Sequence, residues 1–258
     1  MFILERLKKY LNNSKKIKYF DEITSTNTVL KEMAQNGAKK DTILISEYQT
    51  KGRGRLGKTF FSPKGCGVYL SYLLRPQILP NDALFITVAA AVAMRRALIE
   101  VLDIEAKIKW VNDIYFENKK LCGILTESGI SKSGNLDYAI LGIGINIKTP
   151  KGGYPEDFSY KTTNLENIKG QITEDEKWHL VASFINNFDN IWEDKKHSYV
   201  EEYKQASCLI GKEIEILSGN YKGYATAADI DDNANLIVKL NNGEKVVLGS
   251  GDVSIRFN

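Results

Sequence analysis

Histidine is almost missing from this sequence of 258 residues, with only His179 and His197 present. A His-centred nucleophilic relay or a His-rich zinc site is not indicated as the organising chemistry. Cysteine is equally scarce, three in all, at 66, 122 and 208. Three isolated thiols give neither a disulfide framework nor metal-ligand spacing, and they fit a reducing cytoplasm. No run of about 18 apolar residues occurs, so no helix spans a membrane. The opening MFILERLKKYL is charged, lacks a long apolar core and does not read as a signal peptide. Neither sign of charge dominates: 35 basic and 32 acidic residues leave +3. A partner held by bulk electrostatics, such as nucleic acid, is therefore not indicated. Apolar residues make up 43% of the chain, enough for a real core. The length suggests one large domain, or a large domain with a small companion.

What the chain does have is concentrated in residues 49–67, QTKGRGRLGKTFFSPKGCG. Five glycines, two arginines and three lysines fall within these positions. Glycines let a backbone approach a ligand closely. Arg53, Arg55 and Lys58 place cationic donors beside it, which suits a phosphate or carboxylate. A solvated basic loop has the same composition. Residues 52–59 also satisfy G-x-x-x-x-G-K-[ST], but a P-loop needs a helix opening at the Lys-Thr. Pro63, Gly65 and Gly67 interrupt any such helix, and 68–74 reads as a strand. The anion-binding chemistry stands without the P-loop fold.

Residues 1–16 are expected to form a short amphipathic helix, and the stretch before Tyr19 is too short for a helix-turn-helix reading domain. A strand over 17–23 leads into a helix capped by Ser25 or Thr26, with Val29, Leu30, Met33 and Ala34 inward and Asn36-Gly37 as its stop. Ser25, Thr26 and Asn27 can cap that helix or bond a polar ligand. Strands over 42–48 and 68–74 flank the glycine-rich loop. Asn81 or Asp82 should cap a buried helix over 83–102.

Residues 106–128 read as strand, turn, strand, reversing near Glu117-Asn118. Lys109 and Lys120 then come from neighbouring strands, with Asn112 and Asp113 between them. Two lysines beside a second cationic loop suggest one site; solvated strand edges are the alternative. A strand over 138–147 carries Gly142 and Gly144 on one face, where they leave room for a ligand or for a close-packed helix. Residues 150–170 read as an irregular connection. Thr173 and Glu176 make a capping box for a helix, with His179 and His197 on its solvated face. From Gly211 short alternating strands take over, at 213–217, 224–230, 236–240, 245–248 and 253–257, with turns at 218–220 and 241–243. The size suits a small barrel.

S-T-N at 25–27, Q-x-x-G-R-G-R-x-G-K at 49–58, K-W-V-N-D at 109–113, K-K-L-C-G-I-L at 119–125 and G-I-G-I-N at 142–146 together resemble the biotin protein ligases. The match runs from about Ile17 to Phe257, and the joint pattern is far more specific than any one motif. It resembles the short form of the family, without an N-terminal DNA-binding domain. The resemblance implies an α+β fold: a mixed β-sheet with flanking helices, similar to class II aminoacyl-tRNA synthetases, plus a C-terminal SH3-like barrel. The implied domains are 1–207 and 208–258.

The implied activity is ATP-dependent. Biotin is activated to biotinyl-5′-AMP, and biotin then passes to a lysine of a biotin carboxyl carrier protein. On this resemblance Lys109, Arg55, Lys120 and Asp113 are catalytic. Ser25, Thr26, Asn27, Gln49, Arg53, Gly54, Arg55, Lys120, Gly142 and Gly144 surround biotin. Arg55, Lys58, Lys109, Asn112 and Asn146 serve ATP, and Asp113 serves Mg²⁺. The 49–67 loop is expected to be mobile without ligand and to close over the adenylate as a lid. A cytoplasmic enzyme follows, without sequence-specific DNA binding, and an unpaired sheet edge would permit a homodimer. The sequence departs from the family pattern at Lys58, Phe60 and Val111, where Arg, Trp and Pro are frequent. Lys58 keeps the charge without the bidentate fork. Three alternatives stay open at this level: a lipoate or octanoate ligase or transferase, a nucleic-acid-binding module, and a non-catalytic biotin-binding scaffold.

Overall fold

A computed structural model describes residues 2–159, 161–217, 221–249 and 255–257. A helix, α1 (Phe2–Tyr10), precedes a β-α-β unit of β1 (Lys16–Phe20), α2 (Thr26–Gln35) and β2 (Thr42–Ser46). Then come β3 (Gly67–Leu74), α3 (Leu84–Leu102), β4 (Lys107–Lys109), β5 (Asp113–Phe116), β6 (Lys119–Ile130) and β7 (Leu136–Asn146). Four helices follow: α4 (Glu156–Ser159), α5 (Leu165–Lys169), α6 (Glu174–Trp192) and α7 (Tyr199–Gln205). The chain finishes with β8 (Glu213–Ile216), β9 (Gly223–Ile230), β10 (Leu236–Leu240), β11 (Lys245–Leu248) and β12 (Ile255–Phe257).

The first seven strands form one sheet in the order β1-β2-β3-β7-β6-β5-β4. Only β1 and β2 run parallel, as the α2 crossover requires, and every other pair is antiparallel. Every residue of β2 and β3 is buried, which is why both read as apolar runs without alternation. Helices α3 and α6 cover one face with the larger apolar cluster, which includes Val88, Val92, Phe184 and Phe188. Helix α2 covers part of the other face through Leu30 and Ala34, against Leu44, Leu73 and Ile140. The rest of that second face is left to the functional site. Strands β8 to β12 form a separate antiparallel sheet. Its inward residues, among them Ile214, Ala227 and Val238, belong to the same apolar cluster as the α3–α6 layer.

Local signals were accurate where local forces decide. Ser25 caps α2 and Asn36 ends it, with Gly37 at φ +82°. Thr173 and Glu176 close a reciprocal capping box on α6. Glu117 and Asn118 both take positive φ at the reversal between β5 and β6. No helix follows Thr59, and β3 comes next, so the P-loop is absent.

Other expectations need correction. Helix α1 stops at Tyr10, and Lys16 already pairs with Thr42. Neither Asn81 nor Asp82 caps α3, because a 3₁₀ turn over Pro80–Ala83 leads directly into it. Residues 150–170 contain α4 and α5. Helix α7 has no counterpart among the elements expected from the sequence. His179 is not freely solvated, since it stacks on Tyr10 with ring centroids 4.1 Å apart. His197 lies beyond α6, against Phe85 at 3.9 Å. The expected turn at 218–220 and the first two residues of the strand at 253–257 lie outside the described residues. Among those residues no helix is long and apolar enough to cross a membrane.

Candidate functional site

A cavity of about 290 Å³ lies on the α2 face of the large sheet. Three regions of chain build it: the start of α2, the glycine-rich loop, and the strand ends of β4 to β7. Every residue singled out from the sequence lines it: Ser25, Thr26, Asn27, Gln49, Arg53, Gly54, Arg55, Lys58, Lys109, Asn112, Asp113, Lys120, Gly142, Gly144 and Asn146.

One end of the cavity is neutral and tightly bonded. Gln49 Oε1 accepts from the backbone N–H of Thr26 at 2.8 Å and from its hydroxyl at 3.1 Å. Gln49 Nε2 donates to Ser62 Oγ at 3.1 Å. The Ser71 hydroxyl, fully buried on β3, bridges Thr26 Oγ1 and Asn27 Oδ1. Asn27 Nδ2 donates to Glu127 Oε2 at 3.0 Å and to the Leu125 carbonyl at 3.3 Å. Thr26 and Asn27 are 3% and 4% exposed, so their orientations are set by these partners before any ligand arrives.

The other end is charged. Lys120 Nζ sits 2.6 Å from Asp113 Oδ1, and 5.5 Å above the centre of the Phe60 ring. Lys109 Nζ lies 3.5 Å from Tyr115 Oη and 5.2 Å from that ring's centre. Burial holds the Lys109 ammonium below the usual lysine value of 10.5. The nearby Asp113 carboxylate pulls against that, while Lys120 and Lys58 add to it. Lys109 and Lys120 do not lie on adjacent strands as expected. Strand β5 runs between them, pairing Lys109 with Asp113 on one side and Lys120 with Tyr115 on the other.

The glycine-rich loop is a hydrogen-bonded hairpin over the cavity. Gly54 N–H donates to the Lys58 carbonyl at 2.7 Å and Phe60 N–H to that of Gly52 at 3.0 Å. Between them Arg55–Gly57 make a 3₁₀ turn with Leu56 at φ +53°. Gly52 is required by close approach, because a Cβ there would collide with the Phe60 carbonyl and Ser62 Oγ. Arg55 Nη1 donates to Asn112 Oδ1 at 3.2 Å, tying the loop to the K-W-V-N-D segment. Arg53 turns the other way, to Glu127 Oε1 at 3.1 Å. Its guanidinium thus meets a carboxylate of the protein while still lining the cavity.

Gly142 and Gly144 both line the cavity, and their bare backbone also admits protein side chains. A Cβ on Gly142 would run into Asn27 Oδ1, and one on Gly144 would come within 2.6 Å of Phe60 Cε1. A Cβ on Gly123 would meet the same ring, 2.7 Å from Phe60 Cε2. These glycines admit protein side chains into the sheet surface. Asp113, expected to hold Mg²⁺, is the one carboxylate among the described residues lining the cavity, and it is already ion-paired with Lys120. Mg²⁺ is ordinarily held by one or two carboxylates with phosphates and water. No cluster of three potential ligands occurs among the described residues. Asp113 supplies one such carboxylate and would share it with Lys120.

Sequence reasoning missed Ser71 and Glu127, because the contacts that give them roles join positions 44 and 100 residues apart. It also missed the aromatic wall, where Phe61 stacks on Phe158 at 6.1 Å and meets Tyr154 edge-on at 6.4 Å. The three aromatics are visible as residue types, but the sequence around 154–158 reads as irregular. Trp110, in the lining, is held from the second sheet: its Nε1 donates to the Ala234 carbonyl at 2.9 Å. Tyr203 Oη on α7 donates to the next carbonyl, that of Val111, also at 2.9 Å.

The sequence matches the Biotin/lipoate A/B protein ligase family over residues 19–146. It matches the Biotin protein ligase C terminal domain over residues 209–256. It is 30% identical over 241 residues to the Bifunctional ligase/repressor BirA of Bacillus subtilis, covering 92% of this chain and 73% of that protein. It is also 30% identical over 241 residues to a Biotin--[acetyl-CoA-carboxylase] ligase of Mycobacterium tuberculosis, covering 89% and 85%. The fold is similar to that of a biotin protein ligase from Aquifex aeolicus in complex with biotin and ATP. That structure has a TM-score of 0.79 at 29% identity, over 95% of this chain and all of the other.

Proposed function

The chain belongs to the biotin protein ligase family and is a biotin ligase enzyme, and from that premise we propose how its residues carry the reaction. Biotin lies with its ring system toward the neutral end, where Ser25, Thr26, Asn27 and Gln49 offer the lone pairs and donors not used among themselves. Its carboxylate points to Lys120. ATP takes the charged end, with Arg55, Lys58 and Lys109 on the phosphates, Asn112 holding Arg55 in place and Asn146 toward the adenine. A carboxylate oxygen attacks the α-phosphorus, the bond to pyrophosphate breaks, and biotinyl-5′-AMP forms. The attack brings two anions together, and the lysines and arginine lower its barrier by neutralising charge already in position. Lys120 then stabilises the carbonyl oxygen while the acceptor lysine amine displaces AMP. Asp113 orients Lys120.

The observation that carries this reading is the division of one cavity into a neutral, pre-bonded end and a cationic end. An adenylated acid has the same two halves. The test is biotin-dependent exchange of pyrophosphate into ATP by the purified protein, with lipoate and octanoate as parallel substrates. Exchange with biotin alone supports the reading; exchange with another acid alone defeats it.

Several finer features belong to the same proposal. The large sheet is of the class II aminoacyl-tRNA synthetase type and the second sheet an SH3-like barrel, divided at Ser207 and Cys208. The acceptor is a biotin carboxyl carrier protein or domain. ATP use and three unpaired thiols suit the cytoplasm. Strand β6 extends past its last β5 partner, which leaves an edge for a homodimer. Sequence-specific DNA reading is not assigned to this chain: α1 packs Leu7 fully into the core and stacks Tyr10 on His179.

A further inference from the structure

Three consecutive residues of α7 hold it to three different parts of the molecule. Glu202 pairs with Arg96 at 2.6 Å and with Arg95 at 3.5 Å, both on α3. Lys204 pairs with Asp229 of β9 at 2.6 Å, on the second sheet. Between them Tyr203 is fully buried, and its Oη donates to the Val111 carbonyl at 2.9 Å. The chain leaving α7 stays on the same segment. The Ala206 carbonyl accepts from the Ile108 N–H at 2.8 Å, and the Cys208 N–H donates to the Ile108 carbonyl at 2.9 Å. Tyr203 is not among the described residues that line the cavity. Whatever it does for the site, it does through Val111.

We propose that Tyr203 is a positioning residue for Arg55: by holding the Val111 carbonyl it aims the Asn112 side chain that ties the glycine-rich loop over the adenylate. The proposal rests on the ligase reading. The Val111 carbonyl belongs to the peptide that leads into Asn112. A peptide is planar, so fixing its oxygen fixes the direction in which the chain enters Asn112. Asn112 in turn bonds three ways. Its carbonyl accepts from the Ile124 N–H at 2.9 Å, its Nδ2 donates to the Ile124 carbonyl at 2.6 Å, and its Oδ1 accepts from Arg55 Nη1 at 3.2 Å. The Arg55 bond is the longest of the three and has the least to spare. Val111 is 2% exposed, so its carbonyl finds no water if the Tyr203 hydroxyl is lost. The Val111–Asn112 peptide must then turn to find another donor. The two Ile124 bonds keep Asn112 in place, and the strain falls on its reach toward Arg55. Burial pushes the Tyr203 hydroxyl well above its ordinary value of 10, while the Arg55 charge draws it down. The hydroxyl therefore stays protonated at neutral pH and remains a donor.

The test is Tyr203→Phe in the full chain, which removes one oxygen and keeps the buried ring. Two quantities are measured: the rate at which preformed biotinyl-AMP dissociates, and tryptic cleavage after Arg53, Arg55 and Lys58 in the ligand-free protein. Biotinyl-AMP should leave about fivefold faster, the scale of one buried hydrogen bond. The ligand-free loop should be cut faster as well, because its tie to Asn112 is open more of the time. In an Arg55→Ala background the same change should speed release by less than about twofold, because the relay ends at Arg55. A residue that merely supports the fold would add the same factor in both backgrounds, and that result overturns the proposal. Release within about twofold of the parent in Tyr203→Phe alone overturns it too. The cleavage measurement needs no ligand, and an unchanged cleavage rate overturns the relay by itself. Failure of the unaltered protein to bind biotinyl-AMP would instead defeat the ligase reading, with cleavage still deciding whether Tyr203 holds the loop.

Discussion

The two ends of the main cavity are held ready by different forces. At the neutral end Thr26, Asn27, Gln49 and Ser71 fix one another through short, buried hydrogen bonds. At the charged end Lys109, Lys120, Asp113 and Arg55 are partly exposed and balanced by Coulomb forces. A hydrogen-bonded network has one good geometry and fails when a member is displaced. A charge cluster tolerates small displacements but depends on the count and sign of its charges. The neutral end should therefore select shape, and the charged end should set rate.

The largest effect expected of this contrast is at Lys109. Lys109→Ala should cost the first step about 3 kcal/mol or more of transition-state stabilisation, the scale for one well-placed donor. Biotin binding without ATP should change little. Pyrophosphate exchange and biotin titration together check this, and near-normal exchange would remove Lys109 from the mechanism.

The corresponding break at the neutral end is Gly142→Ala. The new methyl must displace Asn27, and with it the Ser71 and Glu127 contacts. Overpacking of this kind costs about 1–3 kcal/mol. Weaker biotin affinity with unchanged ATP affinity is expected in calorimetry. Intact biotin affinity would show that the network can relax.

Trp110→Phe disturbs the charged end from behind. It keeps the ring but leaves the Ala234 carbonyl without its donor, which costs about 1–2 kcal/mol. A raised KM for ATP with unchanged biotin affinity is expected. Equal loss of both would mean that the second sheet supports the whole site rather than one end.

The pH dependence sharpens the electrostatic half. Lys109 titrates below the ordinary 10.5 in the free protein. Below its folded value the ammonium is charged in folded and unfolded chains alike, and its burial costs stability. As pH rises from that value toward 10.5, the unfolded chain holds the extra proton, and stability contributed through this group increases. Phosphate binding reverses the shift by supplying negative charge, so ATP should bind with proton uptake in that window. Calorimetry at alkaline pH in buffers of different ionisation enthalpy measures the uptake, and its persistence in Lys109→Met would assign it elsewhere.

The smallest effect is expected where the two ends meet. Arg53 and Glu127 form a partly exposed pair, worth about 0.2–1 kcal/mol. Arg53→Ala and Glu127→Gln should each speed release of biotinyl-AMP no more than severalfold, and the double variant should be no worse than either single one. Additive effects in stopped-flow release would mean that the pair does not act as a unit.

Sequence by itself determined the elements whose causes lie within a few residues. The Ser25 cap, the Thr173–Glu176 box and the positive-φ turn at Glu117 and Asn118 need no distant partner, and all were legible. The polar membership of the cavity was legible as well, because chemically telling residue types cluster in short motifs, while the Phe61, Tyr154 and Phe158 wall was not. Tertiary structure decided what those residues are bonded to. Glycines 123, 142 and 144 announce missing side chains, but not that Phe60 and Asn27 fill the gaps. That Arg53 pairs with Glu127 and Asp113 with Lys120 is written in no local motif. Trp110 is one aromatic among many until Ala234, 124 residues on, accepts its proton. Hydrogen bonds and ion pairs act over a few ångströms, and only the folded sheet brings such distant positions within that range.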